Sequence, residues 1–227
     1  GRYMYLQVVR GGRYDSAVFG TSTVRLLDPN PLSEAFGGRF ANLGLNAGTP
    51  WEQVQLADLF LRRVPRPRTL VFGIDATWCE ADADAGGKRI TFRSFPPWLY
   101  DDDPLDDYPH LLNLRSLSLA GRVLLFRLGL MPARIRGDGY EVFVPPEARY
   151  DPDRARWHIW RGREPVIGAI EPPVRLSPEE RAALAMPALA WLDVLLGRLP
   201  AETVRLLVWP PVHVAAQAIP GSREAER

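Results

Sequence analysis

Three stretches of this chain set hydroxyl, amide or carboxyl side chains beside glycines, directly after apolar runs. The first is Phe19-Gly20-Thr21-Ser22-Thr23. A serine on a sharp turn leaving a buried strand is presented at the ligand-binding edge of a sheet. There a glycine permits close approach, and the helix expected to follow points its N–H groups at whatever the serine attacks. The same residues also suit a plainer role, with Ser22 or Thr21 capping a helix. The second stretch is Asn42-Leu-Gly44-Leu-Asn46-Ala-Gly48-Thr49-Pro50, a loop able to aim backbone N–H groups at an oxyanion. The third is Phe72-Gly73-Ile74-Asp75-Ala-Thr77, which brings a carboxyl group. Together they describe the parts of nucleophilic acyl chemistry.

These residues need elements that bring them to one edge. Asp15–Gly20, Phe40–Leu45, Thr69–Ile74 and Val204–Trp209 are continuous apolar runs, as expected of buried parallel strands. Between them, Pro50–Val64 reads as a helix capped by Thr49 with Pro50 in its first turn. Ser177–Leu199 opens with Ser177-Pro-Glu-Glu180, a capping box, and Pro187 is expected to kink or split it. Alternating strands and helices predict an α/β fold, a three-layer open parallel sheet whose ligands sit at the carboxyl ends of its strands. Residues 76–176 exceed what such a unit needs and read as a large insertion after the third strand, forming a cap or partner surface. A helix is expected there over about Leu111–Leu128, and a hairpin around Gly137-Asp-Gly139.

Composition narrows the function classes. The 227 residues carry 28 basic against 27 acidic side chains, a formal charge of +1, so no nucleic-acid partner is expected. Cys79 is the only cysteine, which excludes an internal disulfide and a multi-thiolate metal site. No metal or other cofactor is expected. No run reaches the ~20 apolar residues of a membrane span; in the nearest, His110–Leu130, Arg115, Arg122 and Arg127 intervene. Lys88 is the sole lysine, an arginine bias that suits a GC-rich bacterial genome. The chain starts at Gly1, and Ser222-Arg-Glu-Ala-Glu-Arg227 reads as an N-cap and one helical turn, so it is expected to be a piece of a longer protein.

The blocks Gly20-Thr-Ser22, Asn42…Gly48-Thr49 and Gly73-Ile-Asp75 resemble those of the SGNH, or GDSL-type, hydrolase superfamily. Tyr14-Asp15 to Ser22 is similar to the "YDxxxxGTS" pattern of its membrane-attached bacterial members. The resemblance covers roughly residues 14–80 and, loosely, 204–213. It implies a flavodoxin-like fold with Ser22 as nucleophile, and an oxyanion hole from the Ser22 N–H, a second-block N–H (Ala47 or Gly48) and a third-block donor. It further implies a base from an Asp-x-x-His near the C-terminus, an acyl ester or glycan substrate, an extracytoplasmic location and a membrane anchor outside this chain.

The departures are specific. Asp75 stands where the family has an asparagine amide, and an ionised carboxylate only accepts hydrogen bonds. It would have to be protonated, or orient Ser22 or a loop. The base and its aspartate are expected beyond Arg227; failing that, His213, in Trp209-Pro-Pro-Val-His213, is the candidate inside the chain. His110 has an Asp107-x-x-His110 spacing but sits in an acidic run, Asp101–Asp107, that reads as a solvated loop; His158 reads as a packed or surface residue. Trp98, Trp157 and Trp160 suit packing more than sugar stacking, and Cys79 reads as a small buried side chain. Two functions follow: a serine esterase or O-acyltransferase acting on surface polysaccharide, or a catalytically degenerate binding or scaffold module of the cell envelope.

Overall fold

The computed structural model describes residues 2–92, 95–101, 103, 105–111, 113–165 and 168–227. It shows an α/β protein built on four parallel strands, β1 (Ser16–Phe19), β2 (Phe40–Asn42), β3 (Thr69–Gly73) and β4 (Val204–Val208), in the order β2-β1-β3-β4. Ser16 lies opposite both Phe40 and Thr69, and Thr69 opposite Val204, so the four carboxyl ends share one edge. The helices are α1 (Met4–Arg10), α2 (Pro29–Phe36), α3 (Pro50–Arg63), α4 (Tyr108–Leu111), α5 (Leu114–Arg127), α6 (Pro152–Trp160), α7 (Pro178–Ala182), α8 (Pro187–Gly197) and α9 (Arg223–Glu226).

Strand side chains alternate between two faces. Ala17, Phe19, Ala41, Leu70 and Phe72 meet α1, α3 and α8 in the main core. Val18, Phe40 and Val71 point the other way, toward Val24 and the Leu32 and Phe36 side chains of α2. Helix α3 starts as its sequence dictates: the Thr49 side chain accepts from Glu52 N–H, the Glu52 carboxylate accepts from Thr49 N–H, and Pro50 occupies the first turn. Its Leu56, Leu59 and Phe60 are fully buried, each worth about 1.5–3 kcal/mol relative to exposure. Pro187 divides the Ser177–Leu199 segment into α7 and α8 and opens the second of them.

Three expectations are corrected. The fourth run forms β4 but is not a buried strand: Val204, Leu207, Val208 and Trp209 are exposed, and Leu206 alone packs with the α2 face. As the last strand in the order, β4 has one paired neighbour and little helix above or below it. The Gly137-Asp-Gly139 turn exists, closed by Arg136 N–H donating to the Tyr140 carbonyl at 2.8 Å, but no strands flank it. Its Asp138 carbonyl accepts from Asn42 N–H (2.8 Å), and its charged flanks pair with Arg25 and Asp28, so the turn docks on the β2 edge instead of folding on itself. Cys79 is half-buried rather than buried. In the acidic run, Asp102 and Pro104 lie outside the described residues.

The glycines at the sheet edge enclose a side chain. A Cβ on Gly20 would sit 2.7 Å from Val24 Cγ2, one on Gly44 would sit 3.0 Å from the same methyl, and one on Gly73 would overlap Val24 Cγ1 outright. Gly20 also has φ +154°, a conformation favouring glycine. Gly73→Ala is therefore expected to destabilise the fold by about 1–3 kcal/mol, read as a lower urea midpoint. Combining it with Val24→Ala should destabilise by less than the sum of the two single changes; strict additivity would show that this contact does not set the packing.

Candidate active site

Ser22 opens a short 3-10 turn, Ser22–Val24, immediately beyond β1. It is half-buried, and its hydroxyl makes no hydrogen bond to the described residues. The expected helix after the serine is thus only this turn; α2 begins at Pro29. Neither Thr21 nor Ser22 caps the turn through its side chain. The Thr21 hydroxyl donates instead to Asp75 Oδ2 at 3.0 Å and lies 3.2 Å from the Thr23 hydroxyl.

Asp75 follows β3 and accepts on both oxygens. Besides Thr21, the Thr77 N–H (3.1 Å) and the Thr77 hydroxyl (2.5 Å) donate to Oδ1. A carboxylate in this setting is an acceptor. Asp75 thereby ties the Ser22 turn to the end of β3. Thr21 and Thr77 are named at sequence level, but not their bonds to Asp75. The Asp-x-Thr spacing of 75–77 was their signal, since an aspartate commonly accepts from the N–H two residues on.

The second loop is held next to the first. Leu43 N–H donates to the Val18 carbonyl and Leu45 N–H to the Gly20 carbonyl, both at 2.8 Å, extending the β1–β2 ladder past β2. Gly48 N–H donates to the Leu45 carbonyl at 2.9 Å, closing a turn. The other second-block candidate, Ala47, has an N–H without a partner among the described residues. Ala47 has φ +52°, uncommon for a residue with a Cβ. A clamp holds it there. Arg2 donates to the Asn46 carbonyl (3.0 Å), the Ala47 carbonyl (3.1 Å) and Glu52 Oε2 (2.6 Å), while Gln53 donates to the Gly48 carbonyl. The Glu52 side chain is 0% exposed, and no sequence pattern links two residues this far apart.

The histidines are elsewhere. His213 follows β4 at the correct edge but is exposed, and its Nδ1 accepts from Ala215 N–H at 3.1 Å. In the neutral ring that acceptor leaves the proton on Nε2. His213 makes no hydrogen bond to Ser22, and its ring meets Trp160 edge-on. His110 stacks on Trp98 with centroids 3.8 Å apart, and His158 packs edge-on against Trp157. No cluster of three or more His, Cys, Asp or Glu side chains able to hold a metal occurs among the described residues. Comparison with protein-family models, curated proteins and solved structures returns no match.

Residues 134–143 are fastened to the segment that follows the Ser22 turn. Arg25, three positions past Ser22, forms a buried ion pair with Glu141 and lies 4.4 Å from the Phe143 ring centroid. Arg136 pairs with Asp28 and with Asp138, which holds its guanidinium above the usual arginine range. The reciprocal hydrogen bond from Arg136, followed by the Asn30 N–H, holds the Asp28 carboxyl below its ordinary 3.8. Burial pushes the Tyr5 phenol up, partly offset by Arg25. Because the Asp28 value is depressed in the folded state, its contribution is present above pH 3.8 and is lost as pH falls through the lowered value. The docked turn should accordingly loosen in acid. The protection of Asn42 N–H, which donates to the Asp138 carbonyl, relative to its intrinsic exchange rate should fall over that window in the native protein. In Asp28→Asn it should already be lower at neutral pH and change less; unchanged protection in both would remove Asp28 from the tether.

Proposed function

We propose that this chain is a serine-nucleophile esterase or O-acyltransferase of the SGNH, or GDSL-type, kind, acting on acyl esters of a cell-surface polysaccharide. The observation that carries the reading is the half-buried, unbonded Ser22 hydroxyl at the carboxyl edge of a parallel sheet, tied through Thr21 to Asp75. Ser22 Oγ attacks the acyl carbonyl, and the N–H groups of Ser22 and Ala47 are the donors assigned to the oxyanion. The tetrahedral adduct collapses as the ester C–O bond breaks and the alcohol leaves with the proton taken from Ser22; the acyl-serine then passes its acyl group to water or to a glycan hydroxyl, and the Ser22 hydroxyl is restored. A histidine takes the Ser22 proton. For His213 to be that base, its ring must release Ala215 N–H and turn its unprotonated nitrogen toward Ser22.

A second reading has its own observation. No histidine is hydrogen-bonded to Ser22 among the described residues, and Asp75 is engaged by two threonines. A chain with these features can serve as a catalytically degenerate binding or scaffold module of the cell envelope.

Release of p-nitrophenol from p-nitrophenyl acetate separates the two. Catalysis by Ser22 predicts that Ser22→Ala lowers kcat/KM by roughly 10³-fold or more, with an unchanged thermal unfolding curve. Equal hydrolysis by both proteins would contradict the enzyme reading. Retention of cellular function by Ser22→Ala would favour the scaffold.

A further inference from the structure

Helix α5 is 14 residues long and its described side chains are exposed but for the half-buried Ser116, although more than half of the helix is apolar. An exposed stripe of this kind, beyond scattered single side chains, marks an interaction surface. Leu114 (86% exposed), Leu117 (70%), Leu124 and Leu128 recur at helical spacing and project on one face, with Gly121 and Leu125 between them. Asn113 caps the helix by accepting from Ser116 N–H, so the stripe belongs to a properly started element.

Charge says what covers it. From Tyr108 to Gly137 the sequence has no acidic residue and five arginines. Arg122 and Arg127 fall on opposite flanks of the leucine stripe, both exposed and neither in an ion pair among the described residues. A leucine face bordered by cations on long apolar stems is suited to a bilayer interface, where the stems lie along acyl chains and the guanidinium groups reach anionic headgroups. A second copy of the same helix fits poorly: isologous pairing brings like charges together with no acid in the segment to offset them. At 1.5 Å per residue the helix spans about 21 Å, too short to cross the ~30 Å hydrocarbon core, so it lies in the surface plane. Among the described residues, no helix is long and apolar enough to cross a membrane.

We infer that α5 is a membrane-surface helix that docks the protein on an anionic lipid bilayer. The inference rests on α5 and not on the chemistry of Ser22. Its C-terminal end leads, after six residues, into residues 134–143, the segment held to Arg25 through Glu141.

Co-sedimentation with large unilamellar vesicles tests it, comparing phosphatidylcholine alone with an equimolar mixture of phosphatidylcholine and phosphatidylglycerol. Binding is expected to the mixed vesicles, weakening with salt. Leu117→Glu/Leu124→Glu should abolish it, and Arg122→Gln/Arg127→Gln should weaken it roughly 25-fold, about fivefold per arginine. Circular dichroism and thermal unfolding should be unchanged, because these side chains are exposed. No sedimentation with either vesicle, or equal sedimentation of the leucine variant, would overturn the inference. So would a concentration-dependent dimer in analytical ultracentrifugation that the leucine variant dissolves. p-Nitrophenyl acetate hydrolysis, measured without lipid, should be the same in these variants as in the native chain, so failure here is distinct from failure of the catalytic reading.

Discussion

The contact on which the sheet edge depends is Val24 seated among Gly20, Gly44 and Gly73. Three strand ends contribute one glycine each, and the side chain of the residue two places after Ser22 fills the space their missing Cβ atoms leave. Val24 also belongs to the smaller core with Val18, Phe40 and Val71, so the turn that carries the serine is fixed by packing and not only by its own hydrogen bonds. Interiors are packed closely enough that one added methyl group must be accommodated by movement. The position of Ser22 is in that sense a consequence of the core beneath it.

Polar bonds complete what packing begins. Asp75 ties the first turn to the third strand through Thr21, and the Leu45–Gly20 bond ties the second loop to the first strand. Arg2 and Glu52 form a buried pair under the second loop, holding Ala47 in a backbone conformation it would not choose alone. Such pairs add little net stability over an apolar replacement, yet removing one partner leaves a buried charge and is strongly destabilising. Their use here is positional. The Arg25–Glu141 pair does the same for residues 134–143, fastening them to the segment that follows the Ser22 turn.

Much of this was legible in the sequence where the signal is local. The strand runs, the Thr49 and Ser177 caps, the break at Pro187 and the turn at Gly137-Asp-Gly139 all depend on residues within a few positions of one another. Helix α2 carried a readable signature, Asp28 before Pro29 and Gly37 at its end, that the strand pattern around it obscured. What could not be read depends on distant partners. Glycines that suggested room for a ligand are filled by Val24. The N–H of Gly48 closes a turn. The Asp75 carboxyl accepts from two threonines, and His213 caps its own 3-10 turn. Apolar content placed the fourth run in a sheet, but burial there depends on neighbours that composition cannot specify.

The central claim is that this packed edge presents Ser22 as a nucleophile. Reaction with a fluorophosphonate probe followed by peptide mapping tests it most directly. A single phosphonyl adduct on the Ser22 peptide, absent from Ser22→Ala and diminished when Gly73→Ala disturbs the cradle, is the predicted result. Labelling elsewhere in the chain at equal yield, or an unlabelled Ser22 in the folded protein, would contradict it.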